Sequence, residues 1–482
     1  MELFYVLGLP LLTAFLSLLP AKNRNFPAAL TILDALLVLA TSWLVVLKVS
    51  GGAPIIAVKD WLECDAFGGL LLLLVSFVGF TAAIFSWGYT KNIVEPNGAE
   101  RVRRYYWRYN LFLASMLAVP ILAQLTLVWM AVELTTLLSV FLVSFPNTPE
   151  AIEAAWKYAV LTCMGAALAL FGILMLYWGV AATGGDAFTW TTLLNATPNM
   201  PPILVETAFL FILVGFGTKA GLVPLHTWLP DAHSQAPSAI CALLSGVETS
   251  TALYCLIRMV PCAQGAPGAA PEKWILAFGL ATCACAALLL IQVREYKRLL
   301  AFSTIEHMGI ILVAVGLGGS ASYFGAAYQM MSHSFAKSFC FLAAGAVLRI
   351  TGTRDIGSIR GLIHESPFVG TALLVGAFAI SGAPPFAVFL SELNILRAGI
   401  SSAQYVATGL LVVFIVIAFC GITFHLSRMV FGEPVAKLKR ARPPLSYVFS
   451  IVLAGIPMAL FGLYMPNSLM ELLRLASHAL GR

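Results

Sequence analysis

Charge is what this sequence most lacks. Only 10% of its 482 residues are Asp, Glu, Lys or Arg, against about a quarter in ordinary soluble domains. Apolar residues make up 60%, and the mean hydropathy is +0.91. These values exclude a soluble globular chain and describe a polytopic membrane protein. No polar stretch is long enough for a sizeable extramembrane domain. Cysteine pairs at metal-ligand or redox spacing are also missing. Cys64, Cys163, Cys241, Cys255, Cys262, Cys283, Cys285, Cys340 and Cys420 are scattered through apolar segments. Cys283 and Cys285 would point to different faces of one helix. No iron–sulfur, zinc or haem signature follows, and there is no glycine-rich phosphate loop. We therefore expect no metal, no cofactor and no catalytic residue in the chain itself. The net charge of +6 gives no case for nucleic acid. The stretch "RVRRYYWRYN" (101–110) reads as a membrane-edge anchor of Arg with Trp and Tyr. The first hydrophobic stretch is read as the start of the membrane domain, not as a cleaved signal.

What is abundant is apolar runs near the length of about 20 residues that crosses a bilayer. Fourteen are read: 2–20, 26–48, 66–88, 108–124, 125–145, 152–182, 202–229, 234–260, 274–292, 298–317, 320–349, 366–398, 403–430 and 444–465. Residues 51–65 read as a small extramembrane hairpin, and 466–482 as a short amphipathic tail. Loops after odd-numbered spans carry 18 basic residues, among them Lys22, Arg24, Lys297, Lys437, Lys439 and Arg440. The opposite side carries seven, including Arg258 and Arg482. The positive-inside rule then puts both termini outside the cytoplasm, in a multi-pass plasma-membrane protein.

The remaining three basic residues, Lys157, Lys219 and Lys337, lie within spans. So do Asp34, Glu133, Glu206, Glu248, Glu392, His307, His333 and His425. Glu306 is beside His307, and His226 follows Pro224. A buried charge at mid-membrane costs roughly 2.5–3.5 kcal/mol on insertion scales. Any one of these groups alone reads as a structural pair or a hydrogen-bonded core residue. A series of acids, lysines and histidines reads as a proton path. An apolar setting disfavours the charged form of a lysine, and a nearby carboxylate restores it. His333 and Lys337, spaced i, i+4, share one helix face.

The positions recur at a near-constant offset. Glu133 to His307 is 174 residues, Lys157 to Lys337 is 180, Lys219 to Glu392 is 173 and Glu248 to His425 is 177. An odd number of helices per copy makes the two copies inverted, as in transporters with interrupted helices. The seventh span breaks at "KAGLVP", with Pro224, and the twelfth at "SGAPPF", with Pro384 and Pro385. Proline removes a helix donor and frees carbonyls for a polar lining. The organisation read here is all-α, with about fourteen transmembrane helices and two inverted five-helix repeats. It comprises an N-terminal three-helix segment with the hairpin (1–107), a first repeat (108–260), a second repeat (272–430) and a final helix with tail (444–482).

Five motifs carry a family resemblance. "KAGLVPLHTWLPDAHSQAPSAICALLSG" (219–246), "KRLLAFSTIEHMG" (297–309), "YQMMSHSFAKSFCFLAAG" (328–345) and "RDIGSIRGL" (354–362) resemble antiporter-like subunits of respiratory complex I, Mrp-type antiporters and membrane-bound [NiFe] hydrogenases. "SGAPPFAVFLSELNIL" (381–396) is most similar to hydrogenase-4 component F. The resemblance implies a proton-translocating membrane subunit with no active site of its own. Its implied partners are other membrane subunits and a peripheral redox module, hydrogenase or NADH/ferredoxin-linked. It implies that Glu133 and Lys219 pair, that Lys157 belongs to the same path, and that His307, His333 and Lys337 form the axis of the second half, with exit at Glu392. Many members carry a lysine where Ser250 stands, so Glu248 is expected to replace it, facing Lys219 on one side and His307 on the other. An Mrp-type Na⁺/H⁺ antiporter subunit and a non-conducting adaptor for a redox arm remain the alternatives.

Overall fold

The structure, a computed structural model, describes residues 1–20, 25–93, 97–184, 188–433 and 442–480. Lys22, Arg24, Lys437, Lys439, Arg440 and Arg482, which contribute to the charge bias, lie outside the described residues. Two helices, α1 (Glu2–Ser17) and α2 (Phe26–Val49), lead into an antiparallel hairpin of β1 (Ile55–Val58) and β2 (Leu62–Cys64), where the sequence places an extramembrane turn. Helices α3 (Ala66–Thr90), α4 (Gly98–Ala118), α5 (Leu125–Val143) and α6 (Pro149–Ala182) follow. The short α7 (Trp190–Ala196) precedes α8 (Pro202–Ala220), α9 (Trp228–Gln235) and α10 (Ser238–Leu243).

A single π turn, Leu244–Glu248, joins α10 to α11 (Thr249–Gln264). Then come α12 (Pro271–Gln292), α13 (Tyr296–Leu317), α14 (Ser320–Thr351), α15 (Leu362–Glu365), α16 (Pro367–Ile380), α17 (Ala387–Ser401), α18 (Tyr405–Val430), α19 (Leu445–Leu463) and α20 (Asn467–Leu480).

Eleven of the described helices are long and apolar enough to cross a membrane. The fourteen expected spans all coincide with helices, but three fall short by this measure. Helix α1 has 16 residues, α4 carries arginines in its first turns, and the 366–398 span is two short helices, α16 and α17. The centre consists of α3, α10–α11, α13 and α14, which are buried along nearly their whole length. Helices α2, α5, α6, α12, α18 and α19 keep most of their surface outward. The tail helix α20 turns Leu469, Leu472, Leu473, Ala476 and Leu480 inward, against α3 and α14.

Both expected breaks are present, and both close the same way. At the end of α8, the Leu222 amide donates to the Gly217 carbonyl (2.8 Å) and the Gly221 amide to Thr218 (3.2 Å). At the end of α16, the Ala383 amide donates to Phe378 (3.0 Å). These bonds wrap the last turn around a residue in the left-handed region, which suits glycine. Gly221 has φ +82° and Gly382 has φ +73°. A Cβ on Gly221 would also strike Leu229, and one on Gly382 would strike the Glu392 carboxylate. We expect Gly221→Ala and Gly382→Ala each to destabilise the protein by about 1–3 kcal/mol. Gly409→Ala, in open space inside α18, should be close to neutral. Denaturant midpoints in detergent, compared across the three, provide the check.

Candidate functional site

Lys219 lies in the last turn of α8, two residues before Gly221. Its ammonium therefore sits at the negative end of the helix dipole, which favours a cation. The side chain is only 3% exposed, so it needs partners. Its Nζ donates to the Thr136 hydroxyl of α5 and lies 3.1 Å from Glu248 Oε1. Glu248 is 1% exposed. The same oxygen accepts from Tyr158 of α6 at 2.7 Å and from Ser139 of α5 at 3.4 Å. The Ser139 hydroxyl also meets Tyr158 OH at 2.7 Å. Glu248 Oε2 is buried with no hydrogen-bond partner. The Tyr158 ring stacks on Trp228 at 4.5 Å, and the Trp228 indole donates to the last-turn carbonyl of Thr218. Helices α5, α6, α8 and α9 thus converge on one ion pair.

This corrects the expected pairing. The carboxylate within ion-pair distance of Lys219 belongs to Glu248, not Glu133. Glu133 Oε1 instead accepts from the Cys163 thiol at 2.9 Å, and its Oε2 has no partner. Lys157, within the α6 span, does not join this cluster: it is 45% exposed and pairs with Glu153 (2.7 Å) and Asp231 (3.3 Å). Its neighbour Tyr158, a helical step away, is the residue that α6 turns inward.

Glu248 ends the π turn, and that turn bonds to α13 and α14. A π turn takes one carbonyl out of the regular i→i−4 ladder. The Ser245 carbonyl accepts from His333 Nε2 of α14 at 3.0 Å, and the Ser245 hydroxyl meets Thr304 of α13 at 2.6 Å. The Gly246 carbonyl takes the hydroxyls of Ser334 (2.6 Å) and Ser250 (3.3 Å). Ser250, at the position where a lysine was sought, thus bonds within its own helix. Among the described residues no direct Glu248–His307 hydrogen bond forms, and the backbone of the π turn bonds to His333.

His333 Nδ1 lies 3.0 Å from His307 Nδ1, and His307 Nε2 lies 2.9 Å from the carbonyl of Ile380. Ile380 closes α16 just before the second break. A carbonyl only accepts, so each Nε2 carries hydrogen. Which ring donates at the Nδ1–Nδ1 contact is set by the tautomers of the two rings. Lys337, one turn from His333, donates to the Leu300 carbonyl (3.2 Å) and to Ser303 of α13. Glu392 is buried in α17, against the backbone at Gly382.

The supporting residues divide. His226 is buried near Cys285, 3.8 Å from its thiol, with Nδ1 unpartnered. Pro224 lies in the first break, and Pro384 and Pro385 lie in the second. His425 meets the Ile291 carbonyl at 3.2 Å on the partly exposed side of α18, away from the buried row. A cation the sequence reading left in a loop is buried: Lys297 Nζ donates to the carbonyls of Ser234 (3.1 Å) and Ala236 (2.7 Å). Its place in "YKRLL", at the start of a span, hid it.

A family profile described as "NADH:quinone oxidoreductase/Mrp antiporter, TM" matches residues 123–418. The chain belongs to this family. It is 36% identical over 416 residues to a hydrogenase-4 component F homolog of Methylacidiphilum infernorum (isolate V4), covering 84% of this chain and 86% of the relative. It is 30% identical over 345 residues to hydrogenase-4 component B of Escherichia coli (strain K12), covering 69% of this chain but 50% of that protein. The chain therefore spans about half the length of this second relative. Its fold matches chains in three solved assemblies. These are an archaeal membrane-bound sulfane sulfur reductase (TM-score 0.89, 24% identity, 99% of this chain and 97% of that), the Mrp complex of Dietzia sp. DQ12-45-1b (0.87, 20%, 99% and 97%) and respiratory complex I from Thermus thermophilus (0.82, 20%, 100% and 100%).

In this member of the NADH:quinone oxidoreductase/Mrp antiporter family, Tyr158 is the neutral donor that holds the buried carboxylate. Tyr158→Phe removes a hydrogen bond to a charged group, worth about 1.5–3 kcal/mol. We expect a stability loss of that size. Glu248→Gln combined with Tyr158→Phe should cost less than Glu248→Gln in the wild type, because the two residues share one bond. A double-mutant cycle of unfolding free energies reads this coupling.

Proposed function

We propose that this antiporter-like membrane protein translocates protons as one subunit of a redox-driven complex. The assembly we favour is a membrane-bound [NiFe] hydrogenase or formate hydrogenlyase type, with complex I-like assemblies in the same class. The chain supplies no redox centre in this reading. Electrons pass through a peripheral module on other subunits, and neighbouring membrane subunits complete the path. We place the chain in the plasma membrane with both termini outside, and read its two five-helix halves as inverted repeats.

The observation that carries this reading is the buried Lys219–Glu248 pair, joined through the π turn to the His333–His307 couple and on to the second break. Each member has a distinct role. Lys219 holds a proton while Glu248 stays at 3.1 Å. Movement of the carboxylate leaves the lysine in an apolar setting that disfavours charge, and it releases the proton. The His couple spans from the Ser245 carbonyl to the Ile380 carbonyl with its two Nδ1 atoms in contact, so it is the relay between the π turn and the second break. Glu392 is the exit in this reading. The match to the component F homolog over most of both chains supports the hydrogenase-type assembly.

One finding favours a second reading. The chain is also 28% identical over 427 residues to Na⁺/H⁺ antiporter subunit A1 of Staphylococcus aureus (strain bovine RF122 / ET3-1). A sodium-coupled assembly would use the same lysine switch.

The test is proton uptake by proteoliposomes carrying the whole complex. Lys219→Arg keeps the charge but cannot release its proton near neutral pH. We expect it to abolish transport while the complex still assembles, and Glu248→Gln to reduce transport at least tenfold. Sodium in place of potassium should leave the rate unchanged. Full transport in the Lys219→Arg variant would reduce Lys219 to a structural cation, and a sodium requirement would favour the antiporter assembly. Wild-type complex that turns over its redox reaction without moving protons would leave the adaptor reading.

A further inference from the structure

Another buried acid lies in the N-terminal helices, outside the lysine–histidine row. Asp34 sits in the middle of α2 and is 3% exposed. Its carboxyl oxygens are approached only by the Thr13 hydroxyl and complete no hydrogen bond of good geometry, and no ion pair reaches it among the described residues. Helix α2 packs on α1, α3 and α4. What those helices offer is mostly spent. Asn110 of α4 is fully buried and uses Nδ2 on the Thr31 hydroxyl (2.9 Å) and the Ser17 hydroxyl (3.4 Å). Ser17 in turn donates to the Thr13 carbonyl at 2.7 Å. Tyr109, the titratable neighbour on α4, donates its hydroxyl to the Gly79 carbonyl at 2.5 Å. Asn110 Oδ1 is left buried with no donor.

Thr31 and Asp34 are three residues apart and share one face of α2. Asn110 therefore meets α2 one turn from the Asp34 carboxyl. The interface holds three buried oxygens that only accept: two from Asp34 and one from Asn110. Thr13, facing the carboxyl from α1, brings one hydroxyl. A bare carboxylate in this setting would lack both a counter-charge and its usual complement of donors. A neutral carboxylic acid supplies the donor that the cluster lacks, and Asn110 Oδ1 is a buried acceptor without a donor at the same helix interface.

We propose that Asp34, with Asn110 and Thr13, forms a proton-binding site in the N-terminal three-helix segment, separate from the lysine–histidine row. Asp34 is a neutral acid there, and its O–H closes the hydrogen-bond cluster between α1, α2 and α4. This inference does not depend on the proposed transport function. When the proton leaves, a bare carboxylate remains between three apolar helices, and water or a cation must follow it in.

Infrared spectroscopy of the full-length chain in lipid nanodiscs tests the site at neutral pH. The wild type should show the C=O stretch of one protonated carboxyl that disappears in Asp34→Asn and shifts in Asn110→Ala. Labelling the wild type with ¹³C-aspartate should move the same band, which keeps the test independent of how Asp34→Asn folds. A second measurement compares thermal midpoints in sodium chloride and choline chloride, with no difference expected in either protein. Carboxylate bands in place of the protonated band would overturn the proposal. So would sodium raising the wild-type midpoint but not that of Asp34→Asn, which would make the oxygens a metal-cation site.

Discussion

Everything at the centre of this molecule depends on one ion pair buried away from bulk solvent. Lys219 and Glu248 lie 3.1 Å apart and are both buried. At about 4 Å and an effective dielectric near 20, two unit charges attract by on the order of 4 kcal/mol. Leaving either one unpaired there costs several kcal/mol. The fold meets this demand with geometry. Helix α8 stops just after Lys219, so that the ammonium faces a helix C-terminus. Helices α5 and α6 bring Thr136, Ser139 and Tyr158 to the remaining positions. These hydroxyls are weak, adjustable partners. They stabilise the pair without fixing its charge, as a second permanent ion would.

The two breaks do parallel work with different chemistry. In each, a glycine in the left-handed region ends a helix and leaves carbonyls without intrahelical partners. Two residues before the first glycine stands Lys219, whose side chain forms the buried ion pair. Two residues before the second stands Ile380, whose side chain is inert and whose carbonyl takes the His307 N–H. Equivalent backbone positions thus serve once through a side chain and once through the main chain.

The membrane class, the helices at all expected spans, the hairpin at 51–65 and both breaks were legible in the sequence. Hydropathy, glycine and proline are local signals and state these features directly. Lys219, Glu248, His333 and His307 were also legible, because a charge in an apolar run is conspicuous. That Glu248 faces Lys219 was legible too; that Glu248, and not Glu133, makes the direct ion pair was not. Glu133 and Glu248 are both acids at plausible depth, and only the rotation of α5 and α11 about their axes decides which reaches Lys219. Lys157 and Tyr158 make the same point. The ionisable residue drew attention, yet the buried stripe of α6 runs through Ala155, Tyr158, Thr162 and Ala169. That three- and four-residue spacing of small and aromatic residues was the available signal. The π turn left no mark in composition, since Leu244–Glu248 differs from an α-helical turn only in its ring closure.

That turn has a consequence of its own. An α-helix advances about 100° per residue, and a π turn accommodates one residue more than a regular turn. Glu248 faces Lys219, while Ser245 faces His333, because α10 and α11 are out of phase by that extra residue. Chain length across 238–264 is therefore as decisive as side-chain identity. A one-residue deletion there would restore a regular helix and swing one flank of the link away from its partners, and no substitution elsewhere in the helix would rotate it back. The side chain of Ser250, which bonds within its own helix, is less constrained than the number of residues across this turn.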